Sequence, residues 1–228
     1  VWNLRLPSAT PVPDSVIWFG SFAGPRVPPG TYTATLSVNG KDYQRQFTVA
    51  KDPRAEATQA DLDAQFAFLS EIHAKLDAIN KTILAIRKLR TQIQGYQPRL
   101  ASGSDAAQQA QAILAKLDAI EQTLMQTKSH APEDPLNYPV RIRSKLATLS
   151  FETGISLSRP TRAEQQVWQE LSQQADAQLA AFAEASGSDV AKLNAALRSG
   201  KLAPISVETH KNPPPTPPSP LRGQGGGL

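Results

Sequence analysis

The chain has no cysteine, three histidines and few aromatic residues, only 6% of its 228 positions. Without cysteine there is no disulfide, no thiol nucleophile and no Cys-ligated zinc. That absence leaves the compartment open. His73, His130 and His210 include no i, i+4 pair, and a metal site needs several converging ligands. The sequence therefore predicts no metal and no other cofactor. With few aromatics, an aromatic-rich core is excluded, and seams of Leu, Ile and Ala between helices are the expected means of burial. No stretch of 18 apolar residues occurs, so no membrane-spanning helix is expected. A net charge of +4 fits solubility better than a nucleic-acid surface. No signal-peptide pattern is present, and the chain opens on Val1 in strand-like sequence, which we read as part of a longer polypeptide.

What is present begins with a long stripe. Leu62, Leu69, Ile72, Leu76, Ile79, Ile83, Ile86 and Ile93 recur at helical spacing, interrupted only by Gln65 and Arg90. The spacing predicts one helix over 58–94 that packs lengthwise on another helix. Thr58 with Asp61 reads as a capping box, and Gly95 as the stop. At 1.5 Å per residue such a rod is about 55 Å long. A loop follows, then a second helix from the Ser104 cap to about Lys128, striped by Ala110, Ile113, Leu117, Ile120 and Leu124. A short loop between two striped helices predicts an antiparallel pair, with Leu76, Ile79 and Ile83 at mid-seam against Leu117, Ile120 and Ile113.

Residues 1–50 read as β structure. Val1, Trp2 and Leu4 suggest a strand end, and Val16-Ile17-Trp18-Phe19 a short buried strand. Pro28-Pro29-Gly30 signals a turn. Thr31–Val38 then alternates, with Tyr32, Ala34, Leu36 and Val38 on one face. Asn39-Gly40 predicts a type I′ hairpin turn into a partner strand, Lys41–Val49. Three or four strands of this kind suggest an incomplete Ig-like sandwich with Trp2 and Trp18 in its core. Further on, a third helix is expected over 138–153. Thr161 and Glu164 should cap a fourth, running to about Ala185 and burying Trp168, Leu171, Ala175, Leu179 and Phe182. Gly187 and Ser188 should separate a fifth, 189–198. The fold class is α+β: a partial Ig-like segment over 1–50, a linker over 51–57 and a helical domain over 58–206 built on a long antiparallel helical hairpin. Residues 207–228, rich in Pro and Gly, are expected to be disordered.

Several of these stretches resemble one family. Residues 29–40 (PGTYTATLSVNG), 47–54 (FTVAKDPR), the opening Val1-Trp2-Asn3-Leu4-Arg5, Leu136-Asn137-Tyr138-Pro139-Val140-Arg141, Lys145-Leu146-Ala147, Arg159-Pro160-Thr161 and Leu202-Ala203-Pro204-Ile205 occur in that order. Together they resemble the C-terminal region of large bacterial sortilin-type β-propeller proteins, often labelled BNR-repeat glycosyl hydrolases. Asn3 stands where that pattern has Asp. The Pro/Gly tail departs from the pattern. The resemblance implies a periplasmic or secreted protein whose propeller, with any glycosidase activity, lies upstream of Val1. The partner it implies is that propeller, in the same polypeptide. It carries no catalytic residue onto this chain.

Each candidate for chemistry has a plainer explanation. His73 reads as a solvated helix histidine. Asp61 and Asp63 could form an acid/base pair, but their place in a first helical turn favours dipole complementarity. Glu164 reads as a cap and Glu170 as a surface charge. Arg87, Lys88 and Arg90 suggest an anion patch, but near a helix end they complement the dipole, and no aromatics interleave to stack bases. Pro217-Pro218-Ser219-Pro220-Leu221-Arg222 matches a PxxPxR pattern and reads as coincidence. Tyr32 and Tyr43 read as packing residues rather than a sugar platform. The expected catalytic, cofactor-binding and metal residues are therefore none, and the sequence assigns no enzymatic role. Three functions compete: a structural and interaction region, part of a glycosyl hydrolase or peptidase with its active site upstream, and a self-associating coiled-coil module. The oligomeric state and the substrate are not legible.

Overall fold

The computed structural model describes residues 1–17 and 19–207. The chain is α+β. A two-stranded antiparallel sheet, β1 (Gly30–Val38) and β2 (Lys41–Val49), precedes five helices: α1 (Gln59–Tyr96), α2 (Asp105–Leu124), α3 (Ile142–Ile155), α4 (Arg162–Glu184) and α5 (Val190–Ser199).

The Asn39-Gly40 turn fixes the sheet's register, pairing Val38 with Lys41 and Gly30 with Val49. Both turn residues have positive φ, 50° and 74°, as a type I′ turn requires. Among the described residues the sheet has no third strand. Val1–Leu4 and Ser15–Ile17 are irregular, and outside β1 and β2 the described residues form one isolated β-bridge, Arg5–Arg26. The strands expected at Val1–Leu4 and Val16–Phe19 are therefore absent from the described residues. Trp18 lies outside them, as does everything from residue 208, including His210, the PxxPxR stretch and nearly all of the expected disordered tail.

Residues 4–17 and 19–27 instead form a loop pair laid on the helices. Leu6 N–H donates to the Pro25 carbonyl, Ala9 N–H to Phe22 and Val27 N–H to Leu4. Pro7, Pro11 and Pro13 remove donors that a regular ladder would need. Two glycines permit close approach. A Cβ on Gly24 would lie 2.2 Å from the Leu6 carbonyl oxygen, and one on Gly20 would lie 2.7 Å from the Ala147 backbone.

In α1 the stripe is buried along its whole length, from Leu62 to Ile93. The Thr58–Asp61 capping box is present, but Gly95 does not stop the helix. It continues to Tyr96 and ends in a 3₁₀ turn at Gln97–Arg99, where Pro98 cannot extend the ladder. α2 is capped by Ser104 and ends at Leu124, before Lys128. It runs back along the second half of α1, because Arg87 meets Glu121 and Arg90 meets Asp118. Leu76 and Ile79 therefore lie beyond the end of α2 rather than at the middle of its seam.

The first half of α1 has other partners. Gln65 Nε2 donates to the carbonyls of Thr153 and Ser156, at 2.8 and 2.7 Å, and Asn80 meets Arg143. These contacts place α3 alongside residues 65–80, running in reverse. Gln65, which interrupts the stripe, thus serves the orphan carbonyls at the end of α3. α4 runs with α1: Phe68 packs edge-on to Trp168 at 6.3 Å, and Lys75 pairs with Asp176.

α3 begins at Ile142, later than expected, and leaves Tyr138 and Val140 in the preceding exposed loop. α4 starts at the Thr161–Glu164 capping box. Leu171 and Ala175 are buried, whereas Trp168, Leu179 and Phe182 are only partly so. Gly187 and Ser188 do not separate two helices. They sit in a π-helical stretch, Ala185–Asp189, that joins α4 to α5. Asn194 on α5 clamps Ile205 by two hydrogen bonds, tying down the last described segment.

Candidate interaction surface

The alternation of β1 and β2 gives the hairpin two unlike faces. The register places Tyr32 opposite Phe47, Ala34 opposite Arg45, Leu36 opposite Tyr43 and Val38 opposite Lys41 on one face. Thr31, Thr33, Thr35 and Ser37 lie opposite Thr48, Gln46, Gln44 and Asp42 on the other. The first face is apolar, yet at its tip half it is uncovered. Leu36 is 62% exposed, Tyr43 58% and Val38 45%. At the base half Trp2 packs edge-on to Tyr32 at 5.8 Å and to Phe47 at 6.2 Å. Tyr32 donates its hydroxyl to the Pro28 carbonyl at 2.6 Å. Tyr32 thus packs as expected, while Tyr43 stands open to solvent.

A second apolar strip lies in the loop before α3. Leu136, Tyr138 and Val140 are exposed, and Lys128 Nζ sits 5.9 Å from the Tyr138 ring.

The residues weighed for chemistry disperse. Asp61 accepts from Thr58 and pairs with Arg159 at 2.9 Å. The Thr58 hydrogen bond, followed by that of Arg159, holds its carboxyl at about 2. Asp63 instead accepts from Gln59 at 2.9 Å, so the two carboxylates serve separate partners. Burial pushes the Glu164 carboxyl up, but hydrogen bonds from Thr153 and Thr161 outweigh it and leave the group lowered. Glu170 is exposed on α4. His73 is pulled below its usual value by burial, with Asp77 opposing. His130 donates its backbone N–H to Asp134 at 2.6 Å. Among the described residues no group of three or more His, Asp or Glu side chains could hold a metal ion.

Arg87 and Arg90 do not complement the end of a helix. α1 continues past them, and its last turn contains no basic residue. Arg87 Nε donates to Glu121 at 2.8 Å, and Arg90 reaches both Asp118 and Glu121 at 2.7 Å. Together with Gln122 and Thr127 they line an open depression of about 340 Å³. The arginine charge there is matched by α2 carboxylates, which leaves little for an anionic ligand. Lys88 lies exposed on the same helix.

A buried polar cluster escaped the sequence reading. Arg143 is 2% exposed and Asn80 fully buried. Arg143 Nε donates to Asn80 Oδ1 at 2.6 Å, its Nη2 reaches Ser15 Oγ at 3.2 Å, and the guanidinium stacks 4.1 Å over the Phe22 ring. Burial, with the nearby Arg87 charge, lowers the Arg143 pKa to about 10. Asn80 Nδ2 donates in turn to the Thr10 carbonyl, and Thr10 donates twice to Asp77. The cluster fastens the N-terminal loop pair to α1 and α3. The signal for it was positional: Arg143 precedes Leu146 and Ala147 by three and four residues, so it shares their buried face.

Among the described residues no helix is long and apolar enough to cross a membrane. Compared with family models, curated proteins and solved structures, the chain matches none.

Proposed function

We propose that this chain is a non-catalytic structural and interaction region of a larger, extracytoplasmic sortilin-type β-propeller protein. Its partner is the upstream propeller of the same polypeptide, and the hairpin face is where that partner docks. The observation that carries this reading is the exposure of Leu36, Val38 and Tyr43 beside a base that Trp2 only partly covers. A lone two-stranded sheet is marginal in water, and an apolar face of this kind marks an interaction site. In this reading β1 and β2 belong to an Ig-like sandwich completed by strands from elsewhere in the polypeptide. The pairing of Arg87 with Glu121 and Arg90 with Asp118 supports reading α1 and α2 as a long antiparallel helical hairpin. The exposed strip at Leu136, Tyr138 and Val140, which carries part of the family resemblance, is a second surface available to the same partner.

The test is to sequence the reading frame upstream of Val1 and express it together with this chain. Propeller repeats there, and slowed amide exchange over 34–45 relative to the chain alone, are expected. No repeats, or unchanged exchange, would refute the proposal.

A further inference from the structure

We infer that the open half of the hairpin face binds an extended polypeptide segment that presents acidic and apolar side chains in turn along one face, at every second residue. Its carboxylates pair with Lys41 and Arg45. The inference rests on reading this face as a docking surface and adds the chemistry of what docks there.

The charge of the face selects its occupant. Lys41 and Arg45 stand on the apolar face, directly opposite Val38 and Ala34. No acidic residue of β1 or β2 shares that face. Asp42, the hairpin's one carboxylate, points to the other side and accepts from Ser37 there. Neither Lys41 nor Arg45 takes part in an ion pair among the described residues. An apolar surface with two uncompensated cations favours a partner that supplies negative charge between apolar contacts.

A second copy of this chain does not fit the face. A two-fold interface brings the same patch against itself, so Lys41 and Arg45 would oppose their own counterparts with no acid between them. Area points the same way. A nine-residue, two-stranded face measures roughly 30 by 10 Å, so two copies would bury about 600 Å² in total. Stable interfaces need about 1,200 Å² or more. An extended segment escapes this limit, because it also adds main-chain hydrogen bonds along a free sheet edge. Among the described residues both edges of this sheet are free.

The test uses the full 228-residue chain, labelled with ¹⁵N and titrated with a capped octapeptide in which glutamate and valine take turns at the odd positions and threonine fills the even ones, so that both types share one face. Control octapeptides replace glutamate by lysine, or valine by serine. The valine–glutamate peptide is expected to shift the amides of residues 34–45. The double variant Lys41→Glu, Arg45→Glu should weaken it by about tenfold or more and gain affinity for the valine–lysine peptide. Leu36→Ser, at an exposed position, should weaken binding without disturbing the fold. Equal binding of both charge types, binding of the serine–glutamate peptide as tight as that of valine–glutamate, shifts confined to the helices, or no binding at all would each overturn the inference. So would concentration-dependent dimerisation through this face without peptide. If the upstream polypeptide slows exchange over 34–45 while the peptides show no charge preference, the docking reading stands and the acidic-partner inference alone fails.

Discussion

The helices and the hairpin both alternate apolar with polar residues, and they end in opposite states. In α1 the periodic residues Ile72, Ile79, Ile83 and Ile86 are fully buried, because α3 covers the first half of the helix and α2 the second. In β1 and β2 the periodic residues Leu36, Val38 and Tyr43 remain open. Amphipathic patterning states that a face wants cover; it does not state where the cover comes from. A rod of 38 residues followed by four more helices finds its partners within the described chain. A two-stranded sheet there finds only Trp2.

The contrast is broken most sharply by truncation. Ile79→Ala should destabilise the chain by about 2–5 kcal/mol, through lost burial and a residual cavity. Tyr43→Ala should cost under about 0.5 kcal/mol. Urea unfolding followed by circular dichroism measures both, and a large loss for Tyr43 would mean that the hairpin is buried in solution.

The polar contacts divide in the same way. Asn80→Ala strips the buried Arg143 of its 2.6 Å acceptor and should cost about 1–3 kcal/mol. Gln46→Ala, on the exposed polar face of the hairpin, should be nearly neutral in the same assay.

Two glycines separate the loop pair from the hairpin. Gly24→Ala forces a methyl group onto the Leu6 carbonyl and should cost about 1–3 kcal/mol. It should also loosen residues 4–17 and 19–27, read as faster amide exchange at Ala9 and Val27. Gly40→Ala meets no neighbour within 4 Å but holds φ at 74°. It should weaken only the hairpin, by about 1–2 kcal/mol of backbone strain.

The smallest effect is a pH slope. His73 has a folded pKa below its ordinary 6.5, because burial disfavours the charged form. The unfolded chain therefore binds the proton first as pH falls. Stability from this group is complete above about pH 6.5 and is lost as pH falls through that value toward the folded pKa. His73→Gln should flatten this part of the stability profile and leave hairpin exchange unchanged.

Much of the bundle was legible because its causes are local. Caps at Thr58, Ser104 and Thr161 need only residues within one turn. The α1 stripe is a periodicity, and Asn39-Gly40 is a dipeptide with a fixed geometry. The failures share a different cause. Val16–Phe19 is apolar enough for a strand, but its segment is placed by Thr10, Ser15 and Phe22 meeting Asp77, Asn80 and Arg143, residues 60 or more positions away. Gly95 and Gly187 are permissive residues, and permission to end a helix is not an instruction to end it. The arginines at 87 and 90 look like helix-end charges until α2 returns with Glu121. The candidate surface was half legible: the face was readable from the alternation, and its lack of cover only from the assembled chain.

The described chain satisfies its helical stripe internally and leaves the hairpin face unsatisfied. Native-state hydrogen exchange on the intact chain reads that contrast residue by residue. Amides of α1 from Ile72 to Ile93 should exchange only through global unfolding, while those of β1 and β2 exchange orders of magnitude faster through local opening. Hairpin amides as protected as those of α1, with no partner added, would contradict it.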